Sequence, residues 1–401
     1  MKYITSPIMP AVWLIVLIIG VPQLSETVYT PSLPDIARAL MCSESMVEYT
    51  LTIYLVGFSV GVFFWGMLSD RIGRKPCVLG GIALFIIGCI GCYYSTSITQ
   101  LMISRFIQAL GGSIGSVVTQ AITRDAFQGT ALNKVYSTIG SAMCVFPAIG
   151  PVIGGQIAEH FGWSTIFLVL IAISASIGII SAFRLPETHH PENRQSVSIL
   201  NVITTLLRDQ HVIGAGLIVG ICNGMYFSYF AEGSFYLIKM LGLTPSQYGY
   251  SFIAIAIASM IGGITSARLN GRYTAHMLMK LSNYVVLIGN SLFVLCVAFH
   301  YISPISPVVL IIITIITQMI TGFGMCSSTS NALAIALVNY KWCTGTASSL
   351  FGSFYYCIVS LVTLGMGTLH NGTLLPMPLY FAILSLLLLC VQKMVKKNPV
   401  K

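Results

Sequence analysis

Long apolar runs separated by short polar segments dominate the chain. Twelve of them approach or exceed the ~20 predominantly apolar residues that one helix needs to cross a bilayer. They fall at roughly 9–31, 46–68, 76–94, 98–122, 135–157, 163–183, 211–233, 246–267, 280–300, 305–330, 345–368 and 375–392. The runs are continuous rather than alternating, so they predict helices and not the short strands of a membrane barrel. Several are interrupted by Gly or Pro, and the last is the shortest. One longer polar segment, RLPETHHPENRQSVSILNVITTLLRDQ at residues 184–210, leaves six spans on either side. The pattern also echoes itself. Residues 66–74 read GMLSDRIGR and residues 263–272 read GITSARLNGR, each following the second span of its half. Apart from one inserted residue, the Gly, Ser and Arg positions agree. The prediction is an all-α integral membrane protein of twelve helices in two pseudo-symmetric halves, 1–183 and 211–401, joined by a linker over 184–210.

Composition strengthens this reading. The chain is 56% hydrophobic and only 8% charged, against about 25% charged residues in a soluble domain. So little charge cannot coat a soluble surface. The net charge of +9 would suit nucleic acid, but its distribution points elsewhere. Seventeen of the twenty Lys and Arg residues fall on one side of the predicted spans, Arg38 and Lys239 on the other, and Arg105 inside a span. That asymmetry places both termini in the cytoplasm. The eleven cysteines are scattered, mostly within apolar runs, and predict neither a disulfide framework nor a metal site. The His189–His190 pair has no partners at metal-ligand spacing. The N-terminal run lacks the cleavage site of a signal peptide. No P-loop or hydrolase triad is visible, so neither an enzyme nor an ATP-driven pump is predicted, and no cofactor.

Within the spans, Glu26 and Glu232 stand out as acids. A charged carboxylate there costs ~2.5 kcal/mol or more unless paired or hydrated, and is a functional candidate by default. Burial raises a carboxylate's pKa and a nearby cation lowers it, the balance a proton-carrying group requires. Arg105 is the one basic residue placed inside a span. It either tunes one of these acids or acts as a strut, bonding backbone carbonyls near a kinked first span. Gln23 and Tyr29 lie on the helical face of Glu26, and Tyr229 and Tyr236 on that of Glu232, with Tyr226 in the same span. Such aromatic residues with polar tips suit a binding cavity. The competing reading puts both acids at the outer ends of their spans, where carboxylates reach water. Asn223, Gln120, Gln318 and Asn331 are weaker polar candidates that bond across helices in the commoner case.

GMLSDRIGRKP, through Gly66, Leu68, Asp70, Arg71, Gly73, Arg74 and Lys75, resembles the loop signature of the major facilitator superfamily. SRFIQALGGSIG resembles the motif of its fourth span, with Arg105 and Gln108 in place and Ala109 for a glycine. PAIGPVIGG resembles the core of its antiporter motif at Gly150, Pro151, Gly154 and Gly155, although Ser137 and Phe146 occupy two upstream glycine positions. AITRDAFQG, GTASSLFG, FGWSTIF and LPET resemble the Bcr/CflA drug-resistance branch. The resemblance implies the major facilitator fold and a proton-coupled exporter of small amphipathic molecules, monomeric, in a bacterial inner membrane and driven by the proton gradient. A dedicated metabolite or siderophore exporter, or an importer, is the alternative on the same fold. The resemblance further implies that Gly66, Asp70, Arg71, Gly73, Arg74 and Asp125 form a conformational latch between the halves. Asp70 would face the N-terminus of span eleven, and Arg74 would pair with Asp125. Gly150, Pro151, Gly154 and Gly155 would either set transport direction or simply pack tightly. The branch usually carries an aspartate where this chain has Thr27. Here the acid is Glu26, one residue earlier and about 100° round the helix.

Overall fold

A computed structural model describes residues 9–189, 199–340 and 344–395. Lys2, His190, Arg194, Lys341, Lys396, Lys397 and Lys401 lie outside the described residues. Among the described residues, eleven helices are long and apolar enough to cross a membrane. They are α1 (Val12–Ala39), α2 (Glu44–Ile72), α3 (Arg74–Tyr93), α4 (Ile98–Ala126), α5 (Gly129–Phe161), α6 (Thr165–Arg184), α7 (Gln210–Met240), α8 (Pro245–Leu269), α9 (Ala275–Ile302), α10 (Pro307–Ala336) and α11 (Gly345–Leu369). The twelfth, α12 (Pro376–Val391), is shorter, at 16 residues. A separate helix, Ile199–Arg208, lies in the polar segment between α6 and α7.

The helices pack as two sixes with the same plan. Within the first half, α1 packs on α5, α2 on α4, and α3 on α4 and α6. Within the second, α7 packs on α11, α8 on α10, and α9 on α10 and α12. Each pair recurs six helices later. The sequence echo is a structural one as well. Gly73 (φ 106°) and Gly271 (φ 104°) occupy equivalent turns, in a left-handed conformation that only Gly adopts without strain. The halves meet through α2 against α11 and α5 against α8, again a symmetry-related pair.

Close approach at these seams comes from small residues, since apolar lipid offers little incentive for apolar helices to associate. Ser59 Oγ donates to the Ser353 carbonyl at 2.8 Å, and Ser353 Oγ returns the bond to the Ser59 carbonyl at 3.0 Å. On the other seam, a Cβ at Gly249 would lie 2.3 Å from the Pro151 carbonyl oxygen. The described basic loops, with Arg71, Arg74, Lys75, Arg124, Lys134, Arg268 and Arg272, occupy one end of the bundle, hereafter the basic face. Arg38 and Lys239 belong to the opposite face, which the excess of Lys and Arg at the first predicts to be the outer one.

One difference from the predicted spans matters for function. The first span is not one continuous helix. Its α-helical part ends at Thr27, a short turn follows over Thr30–Ser32, and the helix resumes at Leu33. Pro31 explains the break: it has no N–H to donate, and its ring clashes with the carbonyl four residues back, that of Thr27. Thr30 Oγ1 donates to that carbonyl at 2.8 Å in compensation.

Candidate functional site

A cavity of about 300 Å³ lies between the halves. From α1 it is lined by Gln23, Glu26 and Thr27, and from the second half by Asn223, Tyr226, Phe230, Tyr355 and Tyr356 among others. Ser330 and Leu333 are the exposed members of the lining. Both sit in the last two turns of α10, at the basic-face end of the cavity. It is mostly aromatic and aliphatic with a few polar groups, the usual make-up of a small-molecule site.

Glu26 is the acid of this cavity. It is 1% exposed, and its Oε1 has no hydrogen-bond partner. Thr27 beside it also lines the cavity, because α1 is ending there and both residues face inward.

Arg105 is fully buried behind this wall. Its guanidinium carbon lies 4.0 Å from the ring centroid of Tyr29 and 4.1 Å from that of Tyr54. Nη1 donates to Gln108 Oε1 at 2.6 Å and to the Ser25 carbonyl at 3.4 Å. The second bond reaches a carbonyl left without a helical partner by the break in α1. Arg105 thus braces the broken first helix, as the strut reading expects. It lies close enough to act electrostatically on Glu26, yet the two form no ion pair.

Four sequence expectations are corrected by this geometry. Tyr29, Gln108, Tyr229 and Tyr236 do not line the central cavity. Tyr29 flanks Arg105 and its hydroxyl meets Thr50 Oγ1 at 3.1 Å; the helix break rotates it off the face of Glu26. Gln108 sits behind the wall, donating from Nε2 to Cys89 Sγ at 3.0 Å. Tyr229 packs on Phe252 and Tyr236 on Phe293. Tyr226 does line the cavity, with its hydroxyl bonded to Ser259.

The antiporter-like segment backs the broken end of α1. A Cβ at Gly150 would lie 2.0 Å from Thr27 Oγ1, and one at Gly154 only 1.6 Å from the Val28 carbonyl oxygen. A Cβ at Gly155 would lie 2.4 Å from the Pro245 carbonyl oxygen of α8. This segment therefore touches Glu26's own turn on one side and the second half on the other.

At the basic face, Arg74 binds Asp125 (Nε to Oδ2, 3.0 Å) and Asp70 (Nη1 to Oδ1, 2.6 Å). All three belong to the first half, so this cluster does not itself join the halves. What crosses is smaller. A Cβ at Gly66 would lie 2.9 Å from Ser349 Cβ, and Asp70 shares a cleft with Gly345 at the start of α11. Arg71 is exposed. The LPET segment has a role the sequence did not disclose: Glu187 accepts from the backbone N–H groups of Arg74 (2.9 Å) and Lys75 (3.1 Å), capping α3 where its dipole favours an anion.

An ionic bridge between the halves lies on the outer face. His370, just beyond α11, places Nδ1 2.8 Å from Glu232 and 3.5 Å from Glu48, and Nε2 3.0 Å from Glu44. Lys239 also pairs with Glu44. Glu44 and Glu48 belong to the first half, and the other three residues to the second. Glu232 is therefore buried, at 1% exposure, rather than reaching water at a span end, and it faces away from the cavity. Glu48 and His370 were missed at the sequence level. Glu48 lies inside the predicted second span and is a third buried acid; His370 sits in a loop that carries no motif. Burial opposes a proton on His370, but hydrogen bonds and charge from Glu232 and Glu44 outweigh it and raise its pKa.

The chain is similar to known transporters over nearly its whole length. It is 30% identical over 376 residues to an uncharacterized transporter of Rickettsia bellii, covering 93% of each chain. It is 27% identical to a bicyclomycin resistance protein homolog of Haemophilus influenzae, covering 89% of this chain and 88% of that one. In fold it matches a D-xylose-proton symporter with a TM-score of 0.75 at 13% identity, over 94% of this chain and 96% of the other. The pattern of the Major Facilitator Superfamily matches residues 15–391, and with twelve helices in two repeating sixes around one central cavity the chain belongs to that family of membrane transporters.

Proposed function

We propose that this transporter is a proton-coupled antiporter that exports small amphipathic molecules by alternating access, working as a monomer in a bacterial inner membrane with both termini in the cytoplasm. The observation that carries the reading is Glu26: a buried carboxylate with an unpartnered oxygen, on the wall of an aromatic cavity between the halves. Such a group binds either a proton or a cationic ligand, and the two compete for one site. Competition at a shared carboxylate is sufficient to couple two opposed fluxes. Each proton entering down a membrane potential supplies ~2.3 kcal/mol per 100 mV. The aromatic lining supplies stacking and cation–π contact to varied ligands. The similarity to a bicyclomycin resistance protein homolog supports drug-like cargo, and the excess of Lys and Arg at one face supports the orientation.

In this reading the halves, 1–183 and 211–401, rock about the cavity. Arg105 holds the broken turn of α1 and sets the field at Glu26. Gly150, Pro151, Gly154 and Gly155 transmit the position of that turn to the second half, and Gly66, Asp70, Gly73, Arg74 and Asp125 shape the basic-face closure. Glu232 works at the outer closure rather than at the cavity.

The test is proton release by purified protein on addition of amphipathic cations, together with gradient-driven uptake into inverted vesicles. Wild type is expected to release protons and accumulate ligand. Glu26→Gln is expected to do neither beyond the level of protein-free vesicles. Equal proton release by wild type and Glu26→Gln would overturn the assignment.

A further inference from the structure

The outer-face cluster has a chemistry that the transport reading does not use. We propose that Glu48, Glu232 and His370 form a binding site for a divalent transition-metal ion of the Zn²⁺ class, which clamps the two halves together at the outer face. Glu48 Oε, Glu232 Oε and His370 Nδ1 offer ligand atoms that all lie within 4.8 Å of one another. Around a tetrahedral Zn²⁺ with bonds of about 2.0–2.2 Å, ligand atoms are spaced by roughly 3.3 Å. The separations of 2.8 Å and 3.5 Å from Nδ1 to the two carboxylates bracket that spacing. Closing the cluster on an ion needs only small side-chain shifts.

A second observation points to a ligand. Glu48 is 1% exposed, yet neither of its carboxylate oxygens has a hydrogen-bond partner. Its nearest cationic group is His370 Nδ1 at 3.5 Å, beyond hydrogen-bond reach; a buried carboxylate held that loosely is costly, and a cation between Glu48 and Glu232 would satisfy it.

The surroundings match those of built metal sites. A histidine ligand commonly gives its other ring nitrogen to a carboxylate, which orients the ring and raises its basicity. Here Nε2 faces Glu44 at 3.0 Å, and Glu44 is held in turn by Lys239. An outer cleft lined by Cys42, Glu44, Lys239 and His370 supplies an entry path. One imidazole with two carboxylates suits Zn²⁺; Mg²⁺ and Ca²⁺ prefer six or more oxygens.

The ligands span the halves, Glu48 from α2 and the other two from α7 and the segment after α11. Opening the outer face separates them, so a bound ion stabilises the outer-closed state.

Zn²⁺ binding to the purified full chain, free of any histidine tag, tests this by equilibrium dialysis at neutral pH. It needs no transport, so its outcome is independent of the antiport reading. One equivalent is expected. Its affinity should fall about tenfold in Glu44→Gln, at the low end of the range seen when an orienting partner is lost, and by at least about a hundredfold, the top of that range, in Glu48→Gln and His370→Asn, which remove ligands. It should be unchanged in His300→Asn, whose histidine lies outside the cluster. Excess Mg²⁺ should not compete. Zn²⁺ should also raise the melting temperature of wild type but not of Glu48→Gln, a readout that stands if the histidine variant fails to fold. No Zn²⁺ binding by wild type, or an equivalent retained by both Glu48→Gln and a folded His370→Asn, would overturn the site.

Discussion

At the scale of single residues, Arg105 shows how a charge survives in the middle of a membrane bundle. Removing a guanidinium from water costs several kcal/mol even after relaxation. Two aromatic faces at about 4 Å return up to ~2 kcal/mol each when desolvated, and the hydrogen bond to Gln108 adds roughly 1.5–3 kcal/mol as one to a charged group. Nε and Nη2 find no hydrogen-bond partner, so the two rings and Gln108 carry the site and their geometry must be held. Lysine keeps the charge but has no planar face for the two rings to sandwich. Arg105→Lys is therefore expected to lose about 2 kcal/mol of stability, read as a lower melting temperature in detergent. A variant that melts with wild type would show that stacking by Tyr29 and Tyr54 contributes nothing. The residue types at this site were legible in sequence, since a lone Arg and a Glu inside apolar runs announce themselves. Which aromatic residues faced the cavity was not, because the helical period that put Tyr29 beside Glu26 stops at the break after Thr27.

At the scale of elements, the junction of α1 and α5 controls the position of Glu26. Pro31 ends the helix, and glycines on α5 let its backbone reach the exposed turn. At Gly154 the fit is closest, with space for no side chain at all beside the Val28 carbonyl. Gly154→Ala must push α1 and α5 apart. Overpacking of this kind costs about 1–3 kcal/mol, and the displaced turn carries Glu26 with it. The expected outcome is a folded protein of lowered melting temperature that transports poorly. Wild-type transport by Gly154→Ala would separate this glycine from the working of the site. Sequence spacing left tight packing and transport direction as rival readings of the segment. The structure shows the tight packing, and its location beside Glu26 is what gives it functional weight.

At the scale of the whole molecule, the two faces are closed by different means. The basic face relies on packing of Gly66 against Ser349 and on Asp70 near the start of α11. The outer face relies on buried ionic groups around His370. A carboxylate at a helix N-terminus contributes about 1 kcal/mol in partly exposed settings, which corresponds to about a fivefold change in a two-state balance. Asp70→Asn is expected to shift the population toward states open at the basic face by about that factor. Ser330→Cys, at the exposed mouth of the cavity, reports it through a faster rate of thiol modification than in the same reporter with Asp70 intact. Equal rates in both backgrounds would remove Asp70 from the closure.

By itself, the sequence determined the class, the spans, the division into two sixes and a pair of candidate acids, Glu26 and Glu232, of which only the structure places Glu26 on the cavity wall. These follow from hydropathy, from the count of charges at each end of the spans and from the high cost of a carboxylate in lipid, all of which act locally along the chain. Tertiary structure alone decided that Arg105 braces a broken helix, that Glu187 caps α3, and that Glu44, Glu48, Glu232 and His370 converge. The last four come from positions up to 326 residues apart, in different halves of the bundle. No spacing rule can bring them together, because their meeting depends on which helix packs against which.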